Sequence, residues 1–166
     1  MVQFFHRSSS GKEFRCREAG GEVVDHIDPA KRSLNMAAVR SKHTEPELVV
    51  RKIVYGLGYR YRLHWKKLPG KPDLVFPGKR KAIFVHGCFW HGHECIRGRL
   101  PSTNLDFWQQ KIEKNKERDS RVRDQLESQG WSVLIIWQCR LKDTTELKQT
   151  IVRFLTTNHN EKDSTG

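Results

Sequence analysis

Two apolar runs, each ending beside cysteine or histidine, restrict the fold more than any other feature of the chain. Ala82-Ile83-Phe84-Val85 reads as a buried strand and leads directly into His86-Gly87-Cys88-Phe89-Trp90-His91-Gly92-His93-Glu94-Cys95. Trp131 to Trp137 is a second run, apolar on both faces as in a central strand, and it ends two residues before Cys139. A sheet that sets these strands side by side brings Cys139 against Cys88. The ten-residue stretch holds three histidines, two cysteines, a carboxylate and two large aromatics, so a rigid strand end delivers soft ligands and acid/base groups to a loop.

The rest of the chain supplies the layers. Thr44-Glu45-Pro46-Glu47 is a helix start, with a Thr cap, a first-turn proline and Glu47 in capping-box position. Val50, Ile53, Val54 and Leu57 follow at helical spacing, and Gly56 and Gly58 end the helix. Tyr59, Tyr61 and Leu63 alternate with Arg60, Arg62 and His64, which predicts a strand. Asp73 to Phe76 and Lys81 to Val85 are the next two strands, joined by the turn Pro77-Gly78-Lys79-Arg80. A long helix is expected from about Asn104 to Ser128, and a last helix from Thr144 to about Leu155. The order predicts one α/β domain, a mixed β-sheet flanked by helices, with a right-handed crossover from the third strand to the fourth. Residues 1–28 read as a poorly ordered extension with Cys16 as an uninvolved thiol, 31–41 as a short helix, 29–143 as the main domain and 144–166 as a helix and tail.

Charge indicates the partner. The chain carries a formal net charge of +12, which favours a polyanion, nucleic acid before membrane. Between 51 and 81 stand Arg51, Lys52, Arg60, Arg62, Lys66, Lys67, Lys71, Lys79, Arg80 and Lys81, against the single acid Asp73. No stretch is apolar enough to span a membrane, and the N-terminus lacks the apolar core of a signal peptide. A reducing cytoplasm is therefore expected, where cysteines serve as metal ligands more often than as disulfides.

Cys88, Cys95, Cys139 and one loop histidine make a Cys3His set, the tetrahedral donor set of structural zinc. Spacing leaves the histidine open and favours His93, one residue removed from Cys95. The competing reading makes Cys88 and Cys139 small buried hydrophobes. Asp73, alone among cations, suits a hard ligand for Mg2+ beside a phosphate, with a salt bridge to a neighbouring arginine as the alternative. Asp119 falls on the apolar stripe of Trp108, Ile112, Val122 and Leu126, where an acid needs a partner such as a loop histidine; a surface pair with Arg123 is the alternative. Glu47 has a sufficient role in capping. Phe89 and Trp90 cannot both enter one core from an extended loop, so one or more rings, Trp108 included, are placed to stack on bases.

Pro72-Asp73, the string Phe84-Val85-His86-Gly87-Cys88-Phe89-Trp90-His91, Asn115 to Asp119 and Trp137-Gln138-Cys139 together resemble the very short patch repair (Vsr) DNA mismatch endonucleases. The resemblance covers about residues 29–142 and includes Arg40 to Glu47 and Pro69 to Asp73. It implies a restriction-endonuclease-like, PD-(D/E)XK-related fold and a Mg2+-dependent nick in one DNA strand, 5′ to the thymine of a T:G mismatch left by deamination of 5-methylcytosine. It also implies a monomer in the bacterial cytoplasm, associated with the nucleoid, with mismatch-repair proteins as further partners. By resemblance, Asp73 and the carbonyl of Val85 hold Mg2+, His86 and His91 are active-site histidines, Asp119 pairs with His91, and Glu47 lies near the water on the metal. Cys88, His93, Cys95 and Cys139 would hold Zn2+, and Phe89, Trp90 and Trp108 would intercalate beside the mismatch. The wider superfamily places an acid and a lysine where this chain has Phe84 and His86, so the metal has fewer carboxylates and no catalytic lysine, and the resemblance leaves open which histidine is the general base. Two rivals keep part of this reading: a non-catalytic, zinc-stabilised DNA-binding module, and a nuclease for another DNA substrate.

Overall fold

The computed structural model describes residues 43–63 and 65–157. The expectations for residues 1–28 and 31–41, and for Cys16 and His64, lie outside that range. Helix α1 spans Glu45–Gly56, with Pro46 in its first turn and Glu47, Val50, Arg51 and Val54 on its buried stripe. The cap differs from the expected capping box. The Thr44 hydroxyl donates to the Glu47 carboxylate (3.0 Å) instead of accepting a helix N–H, and Glu47 accepts the N–H of His43 (3.0 Å).

Tyr59 to Leu63 does not form a strand. Arg62 alone bridges Val75, through a reciprocal pair of backbone hydrogen bonds of 2.8 and 2.9 Å. The adjacent strand β1, Leu74–Phe76, has only three residues and lies between Pro72 and Pro77, neither of which has an N–H to donate, so a longer ladder has nothing to pair with. The expected alternation survives only in part: Tyr59 and Tyr61 pack on the core, whereas Leu63 is exposed.

Strand β2, Lys81–His86, pairs antiparallel with β1 and parallel with β3, Ser132–Trp137, in the order β1-β2-β3. The central strand is thus β2; β3 is an edge among the described residues and is half-buried except at Ile136. Its apolar content reflects cover on both faces. Leu74, Phe76, Ile83 and Ile136 face α1 and helix α3, Thr144–Thr156, which contributes Leu147, Ile151 and Leu155. Val75, Phe84 and Val133 meet Leu126 and Val122 of helix α2, Leu105–Ser128, on the opposite face. Gly130, at φ 75°, closes α2 as expected. Asp143 caps α3 by accepting the N–H groups of Thr145 (3.1 Å) and Glu146 (2.9 Å).

The ammonium of Lys81 donates to the carbonyls of Phe154 and Thr157 and so caps the other end of α3. Burial lowers its pKa. Lys81 and Arg51 are buried, which removes two of the ten cations read as a nucleic-acid face; the other eight are exposed.

Candidate active site and metal centre

The parallel register of β2 and β3 pairs His86 with Trp137, so the two strands end together. Just beyond them lie the histidine loop on one side and Cys139 on the other. The loop is pressed against α2. A Cβ at Gly92, which sits at φ 60°, would lie 2.4 Å from Lys116 Cε and 2.6 Å from Ile112 Cγ2, so only glycine fits there. Asn115, from α2, donates to the Trp90 carbonyl at 2.9 Å and fixes the loop from the other side.

This contact delivers the expected pair. His91 Nδ1 is 2.5 Å from Asp119 Oδ2, and the His91 ring stacks on His86 with centroids 3.7 Å apart and planes 13° from parallel. The bland alternative for Asp119 is not what forms, because Arg123 pairs with Glu127 instead. Arg118 Nη2 holds the second Asp119 oxygen at 3.1 Å. A carboxylate accepting from Nδ1–H sets the tautomer of His91 and leaves Nε2 as its basic nitrogen. Burial, reinforced by neighbouring His91, lowers the His86 pKa to about 4, so His86 is a neutral imidazole near pH 7.

Asp73 is tied to the same strand end. Its Oδ2 accepts the Val85 N–H at 2.7 Å, and its own N–H donates to the Ile83 carbonyl at 3.1 Å. Val85 itself packs on the core that the sheet shares with α1 and α3. Burial raises the Asp73 pKa to about 6, and the Glu47 charge adds to the rise, while the Val85 N–H and the Arg51 charge oppose it. A half-buried acid with a second acid nearby is electrostatically incomplete and favours a cation. Glu47 is itself buried and accepts from His43, Thr44 and Arg51. On sequence Arg51 reads as one more solvent cation; its place four residues after Glu47 on one helix is the available signal of a pair.

On the other side of the loop, Cys88, His93, Cys95 and Cys139 bring their ligand atoms within 4.8 Å of one another. Cys139 Sγ lies 3.6 Å from His93 Nδ1. Ligands on a tetrahedral zinc at ~2.3 Å lie roughly 3.5–4 Å apart, so the set needs little movement to close. The histidine that falls within this group is His93, whose ring also lies 4.3 Å from that of Trp137. Cys88, Cys95 and Cys139 are free thiols among the described residues. Burial pushes the Cys88 thiol up to about 11, whereas a hydrogen bond from His93 brings Cys95 down to about 6.

Phe89, Trp90 and Trp108 form one aromatic cluster with centroids 5.1 to 6.1 Å apart. Trp108 is buried in it, while Phe107, 5.2 Å from Trp108, is 61% exposed. Phe107 escaped the sequence reading, although it stands beside Trp108 in the same helical turn.

The family described as DNA mismatch endonuclease Vsr matches residues 24–97. Over 133 residues the chain is 48% identical to the type II nicking enzyme V.XorIIP of Xanthomonas oryzae, covering 80% of this chain and 98% of that protein. It is 41% identical over 133 residues to the type II nicking enzyme V.NmeAIP of Neisseria meningitidis, covering 80% and 95%. With the DNA mismatch endonuclease Vsr of Escherichia coli it shares 42% identity over 125 residues, covering 75% and 80%. The chain belongs to the Vsr family of DNA mismatch endonucleases.

Proposed function

We propose that the protein is a DNA endonuclease that nicks one strand of a duplex 5′ to the thymine of a T:G mismatch and so initiates very short patch repair. The observation that carries this reading is the His91–Asp119 pair stacked on His86, beside the strand end where Asp73 holds Val85. A DNA-binding module without catalysis has no use for an imidazole oriented by one carboxylate at a strand end that also carries a second, desolvated one. The names of the relatives, mismatch endonuclease and nicking enzyme, support the same class of reaction.

His91, held at Nδ1 by Asp119, is the group that moves the proton, through Nε2. His86, neutral and stacked beneath it, keeps the ring in plane and adds no competing charge. Asp73 and the Val85 carbonyl offer hard oxygen ligands to Mg2+, with Glu47 beside them. When bound, the cation supplies Lewis acidity at the scissile phosphate. Cys88, His93, Cys95 and Cys139 hold a structural Zn2+ that stiffens the loop and takes no part in the reaction. Phe89 and Trp90, backed by buried Trp108 and with exposed Phe107 at their rim, stack on bases where a mismatch makes unstacking easiest. The exposed cations between Lys52 and Arg80 contact phosphates, and the enzyme acts as a monomer in the bacterial cytoplasm, with mismatch-repair proteins as partners.

A second reading has its own support. V.XorIIP and V.NmeAIP are named nicking enzymes with no mention of a mismatch, so a nuclease for another DNA substrate would keep the chemistry and change the target. One assay decides. The protein, with Mg2+, is mixed with a labelled duplex carrying one T:G mismatch, with the fully paired duplex, and with both again using Asp73→Ala. A nick confined to the mismatched strand is expected. No nick would remove the enzyme, and equal nicking of both duplexes would remove the mismatch.

A further inference from the structure

Arg51 is 6% exposed. Its Nη2 lies 2.8 Å from Glu47 Oε2 and its Nη1 lies 2.8 Å from His43 Nδ1. A guanidinium has only donors, so Nδ1 of His43 carries no proton and the ring is the Nε2–H tautomer. Both Glu47 oxygens are committed as well, Oε1 to the Thr44 hydroxyl and Oε2 to the His43 N–H and to Arg51. The Nε of Arg51 is buried and makes no hydrogen bond among the described residues. A guanidinium with one N–H unmatched is a poor device for stability, since desolvating a buried ion pair tends to cancel its attraction. Nor can a group so covered reach a phosphate.

We propose that Arg51 is a positioning residue of the nuclease site, a fork that fixes the Glu47 carboxylate and the His43 imidazole relative to one another without touching DNA. This rests on the nuclease reading above. Arg51 acts through Glu47: its planar fork presents two separate nitrogens at a fixed spacing, one to each partner, a geometry that the single nitrogen of an ammonium does not reproduce.

The test compares wild type, Arg51→Met, Arg51→Lys, Glu47→Gln and the Glu47→Gln/Arg51→Met double variant. Each is assayed for single-turnover nicking of the T:G duplex and for duplex affinity across a salt series. Arg51→Met is expected to slow nicking roughly 10²-fold, the scale of a misplaced site group, with affinity and salt dependence as in wild type. Arg51→Lys should fail to restore the full rate. The double variant should be no slower than the slower single, because the two residues act as one unit. Nitrogen-15 imidazole spectra give a readout apart from activity: His43 is expected as the pure Nε2–H tautomer in wild type and as a mixture in Arg51→Met. A wild-type rate in Arg51→Met, additive effects in the double variant, or a His43 protonated at Nδ1 would overturn the proposal. Weakened binding with a shallower salt slope would make Arg51 a phosphate contact instead, which also overturns it. If Arg51→Met does not fold, Arg51→Lys, which keeps the charge, decides by the same measurements. If wild type makes no nick at all, the nuclease reading falls, and the His43 tautomer still judges the arrangement.

Discussion

Replacing Asp73 by asparagine should abolish nicking and yet make the protein more stable at neutral pH. Burial raises the Asp73 pKa from an ordinary 3.8 to about 6, so the folded state holds this proton more tightly than the unfolded chain does. Stability from the group is full below about pH 4 and is lost as pH rises through about 6. The rise from 3.8 to about 6, at roughly 1.4 kcal/mol per pH unit, amounts to about 3 kcal/mol above pH 6. That is a ceiling, because solvent reaches part of the carboxylate. Asparagine keeps an oxygen to accept the Val85 N–H and carries no charge to desolvate. In a chain of this length, about 3 kcal/mol corresponds to roughly 6–12 °C in Tm. The assay is thermal unfolding of both proteins at pH 4, 5, 6 and 8 in buffer without Mg2+, with any zinc left in place. The two curves should lie close together at pH 4, separate mainly between pH 4 and 6, and keep a nearly constant gap from there to pH 8. Mg2+ should then raise the Tm of wild type alone, by mass action on the folded state. An Asp73→Asn variant no more stable than wild type at pH 8, or a gap of equal size at pH 4 and 8, would refute the reasoning.

Three further outcomes follow from other contacts. Asp119→Asn should lower the nicking rate roughly 10²–10⁴-fold with duplex binding intact, since the amide no longer enforces the Nδ1–H tautomer of His91; single-turnover rates and a binding titration check it. Cys139→Ser should reduce bound zinc, from about one per chain by elemental analysis, and lower Tm, because metal affinity at such a site is folding free energy. Lys81→Met should destabilise the fold by about 1–3 kcal/mol in urea unfolding, leaving the carbonyls of Phe154 and Thr157 at the end of α3 without their buried donor. It should leave duplex affinity unchanged, which a phosphate-binding lysine would not.

Much of the layer structure was legible locally. The boundaries of α2 and α3 follow from the stop at Gly130 and from Leu147, Ile151 and Leu155 at spacing four. Asp119 was legible as a stripe residue in need of a partner. Other features depend on contacts distant in sequence. Whether Tyr59 to Leu63 forms a ladder depends on its partner, and β1 offers three residues between two prolines. Whether a run apolar on both faces is central or at an edge depends on what pairs beside it, and β3 has β2 on one side only among the described residues. Arg51 and Lys81 look like their solvent-exposed neighbours until Glu47 and the end of α3 are placed against them.

Sequence alone determined which atoms are available: an oxygen ligand among cations, soft ligands at two strand ends, a histidine loop and an acid on the stripe of a helix. These are matters of residue type and short-range period, set by covalent geometry and by burial of one face. Only the tertiary structure decided how that supply is divided. It stacks His86 on His91, gathers His93 with three cysteines, and buries Arg51 beside Glu47. The division depends on β2 and β3 ending in parallel and on Gly92 letting the loop close on α2. Such register and close approach belong to the packing of distant segments, and no local pattern encodes them.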